Sequence, residues 1–190
     1  MQVSILCGGK SSRMQSEKGL VLYQNKPFIE HIIEAVLPIS SNIQLVTNTN
    51  DYDYLAYKKI KDIVFDKGPL GGLYSALVHS TTNMNLILSC DIPLISTEIL
   101  LELVEKHNSN FDVSVFEDSE RIHPLVGIYS KEILPILKKA IDSSDLKMMR
   151  FILKVTHQLI PIAGKKRELF KNINSVTELN ELNANLFQLK

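Results

Sequence analysis

The sequence predicts an α/β fold, with a mostly parallel sheet that carries helices on both faces. Short β-branched runs alternate with segments whose apolar residues recur at helical spacing, and this alternation continues from Gln2 to Asp91. Each parallel strand pair needs a crossover, and a crossover helix must bury its apolar stripe against the sheet. No repeat, low-complexity tract or Pro/Gly-rich linker divides the 190 residues, so we expect a single domain.

The first half of the chain supplies most of this pattern. The first strand, at residues 2–6, ends at paired glycines, which indicates a strand that delivers the chain to a loop. A helix should follow from Phe28 to Leu37, because Pro27 suits a first helical turn and Pro38 ends the apolar repeat. We then expect, in order, a strand at 43–47, a helix at 51–59, a strand at 62–65, a helix at 70–80 and a strand at 85–89.

The alternation is less regular after residue 95. Apolar runs predict strands at 111–116 and 125–129, the second entered through His123-Pro124, and a short strand at 158–162. Helices are expected at 97–106, 131–141 and 146–155. A last helix should begin at Ser175, because Ser-Val-Thr-Glu178 has the form of a capping box, in which the first and fourth residues exchange hydrogen bonds.

Composition and charge narrow the classes of partner. Lys plus Arg and Asp plus Glu both number 21, so the formal net charge is zero and the broad attraction that nucleic-acid binders need is not expected. The first residues lack the charged and apolar regions of a signal peptide, and no apolar run approaches the ~20 residues that span a bilayer. We therefore expect a cytoplasmic protein that acts on small molecules, with Cys7 and Cys90 as free thiols.

The residues after the first strand have the composition of a phosphate-binding loop. Gly8 and Gly9 let backbone N–H groups approach an oxyanion, and Ser11, Arg13 and Lys18 add a hydroxyl and two cations. The guanidinium of Arg13 can hold two oxygens in a fork, whereas Lys18 is a mobile point charge. The alternative is a glycine turn followed by a solvated, charged loop, because short motifs also occur by chance.

Two common phosphate motifs do not fit this loop. A P-loop would need glycine at position 4, where the chain has Ser4, although Gly9-Lys10-Ser11 looks like its end. A dinucleotide fingerprint would need glycine at position 13, which is Arg13. What remains is a glycine pair followed by serines and two cations.

The segment Leu6–Met14, followed by Glu17-Lys18, resembles the L-A-G-G-x-S-x-R-M-G-x-D-K signature of nucleotidyltransferases. It is most similar to the signature of the molybdenum cofactor guanylyltransferases, the MobA family. The chain departs from that signature at Cys7, Gln15 and Glu17, where the family has alanine, glycine and aspartate, and glutamine lacks the access of glycine to positive φ. Further segments resemble family motifs in the same order: Asn48 after the second strand, Asp66–Leu73, Cys90–Pro93, His123-Pro124 and Asn172–Asn174.

This resemblance implies a single-domain, three-layer nucleotidyltransferase fold with a Rossmann-like sheet, in which residues 1–95 bind the nucleotide and residues 96–190 bind the acceptor. It implies an enzyme that transfers GMP from GTP to molybdopterin and releases pyrophosphate, with Mg²⁺ as cofactor. The implied partners are GTP, molybdopterin and, transiently, cofactor-biosynthesis or acceptor enzymes, with no nucleic acid or membrane. Two alternatives stay open: a CTP-dependent or sugar-phosphate nucleotidyltransferase of the same fold, and a non-catalytic GTP-binding module.

The resemblance also assigns roles to residues in the nucleotide half. Asp91 follows a buried strand and is the leading Mg²⁺ ligand, since Mg²⁺ prefers one or two carboxylates with phosphate and water oxygens; its alternative role is to cap a turn. Asn174 is a candidate for a second ligand, for orienting the acceptor or for capping the last helix. The implied catalytic residues are Arg13, Lys18 and Asp91. The implied GTP-binding residues are Leu6, Cys7, Gly8, Gly9, Ser11, Arg13, Lys18, Asn48, Asp66 and Asp91.

The acceptor residues are less well matched. The arginine-rich stretch of the family reads Leu-Lys-Met-Met-Arg at 146–150 here, which weakens the resemblance at that point. The alternatives are a buried, hydrogen-bonded histidine at His123 and a solvated helix face at Lys147 and Arg150. The candidates for contact with molybdopterin are His123, Lys147, Arg150, Asn172 and Asn174.

The two cysteines follow the first and fourth strands. If these strands are neighbours, as in a 3-2-1-4 sheet order, Cys7 and Cys90 end adjacent strands beside the site. We therefore expect the two thiols to lie close together, and their oxidation to disturb nucleotide binding.

Overall fold

A computed structural model describes residues 1–8, 10–11, 16–162 and 164–187. Short 3₁₀ turns lie at Lys18–Leu20, Lys131–Ile133 and Gly164–Phe170. The helices are α1 Phe28–Val36, α2 Gly68–His79, α3 Thr97–Lys106, α4 Leu134–Asp142, α5 Met148–Ile152 and α6 Val176–Phe187. The strands are β1 Gln2–Leu6, β2 Lys10–Ser11, β3 Ser16–Glu17, β4 Leu22–Tyr23, β5 Lys26–Pro27, β6 Ile43–Val46, β7 Lys58–Ile60, β8 Met84–Ser89, β9 Val113–Glu117, β10 Ile122–Ser130 and β11 His157–Pro161.

Seven of these strands form one sheet in the order β11-β9-β10-β8-β1-β6-β7. β1 pairs in parallel with both β6 and β8, and β7 pairs in parallel with β6. The order of the first four sheet strands is therefore 3-2-1-4, as the sequence predicts. Only β10 is reversed among the described strands of this sheet, because it pairs antiparallel with β8 and β9. The sheet is thus mixed but mostly parallel.

Helices cover both faces of the sheet, which gives three layers. Alternation along β1 sends Val3 and Ile5 into one face, where they join residues of α1 and α3 in a common core cluster. Leu6 joins the other cluster with residues of α2, α4 and α5. The predicted α/β architecture with helices on both faces is therefore confirmed.

The sequence prediction is wrong between the second strand and α2. The segment predicted as a helix, 51–59, consists of turns up to residue 57, and the third strand is β7 at Lys58–Ile60 rather than 62–65. Two turn hydrogen bonds shape this segment, from Asp53 N to Asn50 O and from Leu55 N to Tyr52 O, each 3.0 Å long. The apolar residues that suggested a strand include Phe65, which is 65% exposed.

The second half agrees more closely with its predicted elements. α3 has the predicted bounds, while α5 is shorter than the predicted 146–155 and the helix predicted at 131–141 begins as a 3₁₀ turn. The capping box is present: Glu178 N donates to Ser175 Oγ at 3.2 Å, and Ser175 N donates to Glu178 Oε2 at 3.0 Å. None of the helices described is long and apolar enough to cross a bilayer.

Gly127 generates a test of the packing between β10 and its neighbours. A methyl group at this position would lie 2.6 Å from Val115 Cγ1 and 3.0 Å from the backbone oxygen of Ser114. We expect Gly127→Ala to lower the free energy of unfolding by about 2 kcal/mol, because overpacking forces backbone shifts in a dense core. Urea unfolding measures this loss. Gly8→Ala is the control, since no described atom lies within 4 Å of its methyl position, and equal stability of the two variants would contradict the prediction.

Candidate active site

The carboxyl ends of β1, β6 and β8 meet at one edge of the sheet because the three strands are parallel. Leu6 pairs with Val46 on one side and with Ser89 on the other. The residues that follow, Cys7-Gly8 after β1 and Asp91 two residues after β8, therefore leave the sheet at the same level. This is the edge at which ligands bind in open α/β sheets.

A cleft of about 830 Å³, the large cleft, opens at this edge. Its volume falls in the range of pockets that hold a nucleotide-sized ligand. Five of the residues that the resemblance assigns to GTP binding line it: Leu6, Cys7, Gly8, Asn48 and Asp66.

Asp62 lines the same cleft and was missed by the sequence prediction. Asn48 Nδ2 donates to Asp62 Oδ2 at 2.9 Å, and Asp62 N donates to Asn48 Oδ1 at 3.0 Å. The two hydrogen bonds fix the orientation of the Asn48 amide. The sequence prediction missed Asp62 because it misplaced the third strand. Since β7 ends at Ile60, Asp62 lies only two residues after the strand, whereas Asp66 lies six residues after it.

The N-terminus of α2 forms another wall of the large cleft. Asp66 has a φ of 57° and Gly68 a φ of 56°, so the chain turns sharply before the helix. Lys67, Gly68 and Pro69 all line the cleft. The N-terminal N–H groups of a helix carry partial positive charge, which favours a nearby anion.

A polar cluster of Lys18, Ser89, Asp91, Asn172 and Asn174 lies beside the large cleft. Lys18 Nζ donates to Asp91 Oδ2 at 3.2 Å and to Asn174 Oδ1 at 2.5 Å. Asp91 Oδ1 accepts from Ser89 Oγ at 2.6 Å and from Asn172 Nδ2 at 2.9 Å. The Asp91 side chain is buried and Lys18 is partly exposed. The predicted residues Lys18, Asp91, Asn172 and Asn174 are thus brought together from positions 156 residues apart.

The backbone holds Asn172 and Asn174 in this cluster. Ile173 lies between them, is fully buried and donates its N–H to the carbonyl oxygen of Asp91 at 2.9 Å. Glu178 Oε2 accepts from Asn174 N at 2.6 Å, which extends the capping box of α6 by one residue. This contact with Glu178 belongs to the backbone of Asn174, while its side-chain oxygen faces Lys18.

A small cleft of about 180 Å³ adjoins the polar cluster, since Ser89 and Asn172 line it. Ser89 and Leu125 line both clefts, so the two are adjacent. Arg121, His123 and Asn172 line the small cleft. The predicted acceptor residues His123 and Asn172 are therefore together, whereas Arg121 was not predicted.

His123 is held by a carboxylate beneath the small cleft. Its Nε2 lies 2.9 Å from Asp118 Oδ2, and its ring packs against Phe170 with centroids 4.7 Å apart. Burial lowers the pKa of His123 and outweighs the opposing effect of Asp118. The hydrogen bond from His123 holds the pKa of Asp118 well below its usual range. Both lowered pKa values agree with a neutral imidazole of His123 that donates its Nε2–H to the ionised carboxylate of Asp118.

Other predicted residues lie elsewhere or outside the described part. Lys147 precedes α5 and Arg150 lies on it, where Arg150 Nη1 is 3.4 Å from Asp145 Oδ1. Neither is among the described residues that line the two clefts. Gly9 and Arg13 lie outside the described residues, as do Ser12 and Gln15, and the side chain of Ser11 is not described.

Cys7 and Cys90 end neighbouring strands, as the predicted sheet order requires. Cys90 N donates to Leu6 O at 3.2 Å, and both side chains are buried. Burial raises the pKa of the Cys7 thiol, which donates to Ile5 O at 3.6 Å. Cys7 and Cys90 directly follow the paired residues Leu6 and Ser89, so the two cysteines are neighbours across the strands, as predicted. The effect of their oxidation stays a prediction.

A metal ion at this site would depend on few protein ligands. Among the described residues, no three of His, Cys, Asp and Glu are grouped so as to hold a metal. Lys18 Nζ, however, contacts oxygens of both Asp91 and Asn174, so these two oxygens already share one cation. One carboxylate and one amide oxygen, completed by phosphate oxygens and water, suit Mg²⁺. The residues present therefore fit this ion when a polyphosphate is bound.

The fold and the site together define a nucleotide-binding α/β protein. Its mostly parallel sheet places a glycine turn, a helix N-terminus and an aspartate around one cleft at the carboxyl ends of the strands. Comparison with known proteins narrows this class.

Residues 3–159 match the MobA-like NTP transferase domain, and the chain belongs to this family. A probable molybdenum cofactor guanylyltransferase from Flavobacterium johnsoniae is 62% identical over 182 residues, 96% of each chain. Another from Carboxydothermus hydrogenoformans is 33% identical over 195 residues, 100% of this chain and 98% of the relative. The crystal structure of molybdopterin-guanine dinucleotide biosynthesis protein A from Archaeoglobus fulgidus has the same fold, with a TM-score of 0.83 at 21% identity and coverage of 99% and 100%.

The lowered pKa of His123 predicts a pH-dependent stability. As the pH falls through about 6.5, His123 takes up a proton in the unfolded chain before it does so in the folded protein. The free energy of unfolding therefore has its full value above that pH and decreases as the pH falls towards the pKa of His123 in the folded state. We expect His123→Gln to reduce the slope of unfolding free energy against pH between pH 7 and 5, by at most about 1.4 kcal/mol per pH unit. Urea unfolding at several pH values measures the slope.

Burial also lowers the pKa of His107, so His107→Gln serves as the comparison. In each single variant the slope of unfolding free energy against pH should be smaller than in the wild type, and in the double variant it should be smaller still. An unchanged slope in His123→Gln would mean that His123 has the same pKa in both states.

Proposed function

We propose that this protein transfers GMP from GTP to molybdopterin and releases pyrophosphate. The observation that carries this proposal is the polar cluster of Lys18, Ser89, Asp91, Asn172 and Asn174 beside two adjacent clefts, with Ser89 lining both of them. A transferase needs the nucleotide and the acceptor on either side of the reacting phosphorus, with cationic and metal-binding groups between them. Membership of the family and the name of the relative at 62% identity support the particular substrates.

The large cleft is the proposed GTP site, formed mainly by residues 1–95. Asn48 and Asp66 are proposed to contact the guanine or ribose end, with Asp62 fixing the Asn48 amide. Leu6, Cys7 and Gly8 offer backbone groups on the opposite wall. The phosphates would extend from there towards Lys18 and, on the evidence of the sequence, towards Gly9, Ser11 and Arg13.

The small cleft is the proposed entry for the acceptor, formed mainly by residues 96–190. Its volume of about 180 Å³ suits part of molybdopterin, such as the arm that carries the phosphate, rather than the whole molecule. His123, Asn172 and Asn174 are proposed to contact this part, and Arg121 adds a cation at the rim. Lys147 precedes α5 and Arg150 lies on it, and contact between these two residues and the acceptor stays a prediction.

Asp91 and Asn174 are the proposed ligands of Mg²⁺. When bound, the ion would supply positive charge to the phosphate oxygens of the nucleotide. The same two residues hold the Lys18 ammonium at the polar cluster, where it would lie within reach of the phosphates of a bound nucleotide.

The chemistry needs positioned charge more than a proton acceptor. A phosphate monoester is mostly dianionic at neutral pH, since its second pKa is about 6, so an oxygen of the acceptor phosphate can attack the α-phosphorus of GTP without a general base. One phosphoanhydride bond forms, the α–β anhydride bond breaks and its electrons leave with pyrophosphate. Lys18 and Arg13 are proposed to neutralise the charge on the phosphates.

We expect pyrophosphate release with GTP, Mg²⁺ and molybdopterin together, and none when the acceptor is omitted. EDTA should abolish release and excess Mg²⁺ should restore it. CTP in place of GTP should give a rate at least about tenfold lower, because a pyrimidine cannot make the contacts proposed for guanine. Turnover with CTP alone would overturn the guanylyl assignment and favour a nucleotidyltransferase of another specificity.

Removal of either charge in the polar cluster tests the proposed roles of Lys18 and Asp91. Lys18→Ala and Asp91→Ala should each lower kcat at least about tenfold, which corresponds to ~1.4 kcal/mol of transition-state stabilisation. Matched controls are Lys26→Ala and Asp142→Ala, because both side chains form exposed ion pairs with Glu34 and Lys138. Wild-type rates in Lys18→Ala and Asp91→Ala would remove the proposed mechanism.

A further inference from the structure

Tyr52 is a large buried side chain with none of the roles described so far. It is 0% exposed and comes from the turns between β6 and β7. The neighbouring residues Asn48, Thr49 and Asp51 line the large cleft. Burial raises the pKa of Tyr52 well above its ordinary value, so the hydroxyl stays protonated and does not act as a base at neutral pH.

The ring of Tyr52 fills the space where Gly19 lacks a side chain. A methyl group on Gly19 would lie 2.7 Å from the Tyr52 hydroxyl oxygen, 3.2 Å from its Cε1 and 3.3 Å from Cys90 Cβ. The backbone of Gly19 lies outside the left-handed region. Glycine is therefore required at this position for space and not for its conformational freedom.

Gly19 and Cys90, which border this space, are each next in sequence to a charged residue of the polar cluster. Gly19 directly follows Lys18, and Cys90 directly precedes Asp91. The Tyr52 hydroxyl thus lies against the backbone that carries Lys18, on the side occupied by the end of β8. Lys18 Nζ must lie within reach of Asp91 Oδ2 and Asn174 Oδ1, at 3.2 and 2.5 Å, and a shift of its backbone would change both distances.

We propose that Tyr52 is a positioning residue for Lys18: its ring supports the backbone at Gly19 and so holds the ammonium group at the polar cluster. The inference rests on the proposed role of Lys18 in the transfer. It also connects the segment after Asn48, the proposed contact of the guanine or ribose, with Lys18, the proposed contact of the phosphates, because Tyr52 belongs to the turns that follow Asn48. A displacement of about 1 Å at a reacting centre can lower a rate about a hundredfold.

A steric conflict and its relief test this proposal. Gly19→Ala creates the 2.7 Å contact with the Tyr52 hydroxyl, and Tyr52→Phe removes that oxygen while leaving the ring. We expect Gly19→Ala to lower kcat at least about tenfold. The double variant Gly19→Ala/Tyr52→Phe should have a kcat at least about fivefold higher than that of Gly19→Ala. Tyr52→Phe alone should lose less than about threefold, since the ring still packs against Gly19. The KM for molybdopterin should stay within about twofold in all variants.

Tyr54→Phe is the matched control, because Tyr54 lies two residues away in the same turns and is 56% exposed. Thermal unfolding of each variant separates positioning from stability. The proposal is overturned if Gly19→Ala keeps the wild-type kcat, if Tyr52→Phe fails to restore it, or if kcat follows the melting temperature alone across the set.

A direct binding measurement separates this proposal from the proposed function. If the wild-type protein releases no pyrophosphate with GTP and molybdopterin, the guanylyltransferase proposal fails, and calorimetric titration with GTP and Mg²⁺ still tests Tyr52. Gly19→Ala should then weaken GTP binding at least about fivefold, and the double variant should restore it. Equal affinities in the wild type and Gly19→Ala would overturn the role of Tyr52.

Discussion

Parallel pairing of β1 with both β6 and β8 is the constraint on which the rest of the site depends. It aligns Leu6 with Val46 and with Ser89, so that three strands end at one level. The glycine turn and Asn48 therefore reach the large cleft, and Asp91 leaves the sheet at the same edge, in the polar cluster beside that cleft. Buried helices on both faces keep the strands in this register, because a shift of one residue would turn Val3 and Ile5 away from their core cluster.

The reversal of β10 gives the site its second side. β10 pairs antiparallel with β8 and carries His123 and Leu125 back to the edge where β8 ends. Its register with β9 shifts between His123 and Gly127, which frees this part of the strand from regular pairing. The small cleft forms there, and Ser89 of the polar cluster lines both clefts.

The polar cluster also depends on the start of the last helix. The capping box at Ser175 and Glu178 orders the backbone of Asn174, and Ile173 binds the carbonyl oxygen of Asp91 through its N–H. Backbone contacts at Ile173 and at Asn174 therefore fix the position of this segment. Lys18 reaches the same point from a 3₁₀ turn that packs on Tyr52 through Gly19. The polar cluster is thus made from three separated segments, and backbone contacts hold each of them in place.

The sequence by itself determined most of the alternation of strands and helices, the family, the capping box and four residues of the polar cluster, Lys18, Asp91, Asn172 and Asn174, because these depend on local pattern or on short motifs. Only the tertiary structure decided the third strand. Its edge position needs no long apolar run, so Lys58–Ile60 gave no signal, while the apolar Phe65 belongs to the cleft instead. The roles of Asp62, Arg121 and Tyr52 depended on that placement or on long-range packing. Such contacts are set by how the elements assemble, which no local pattern of residues records.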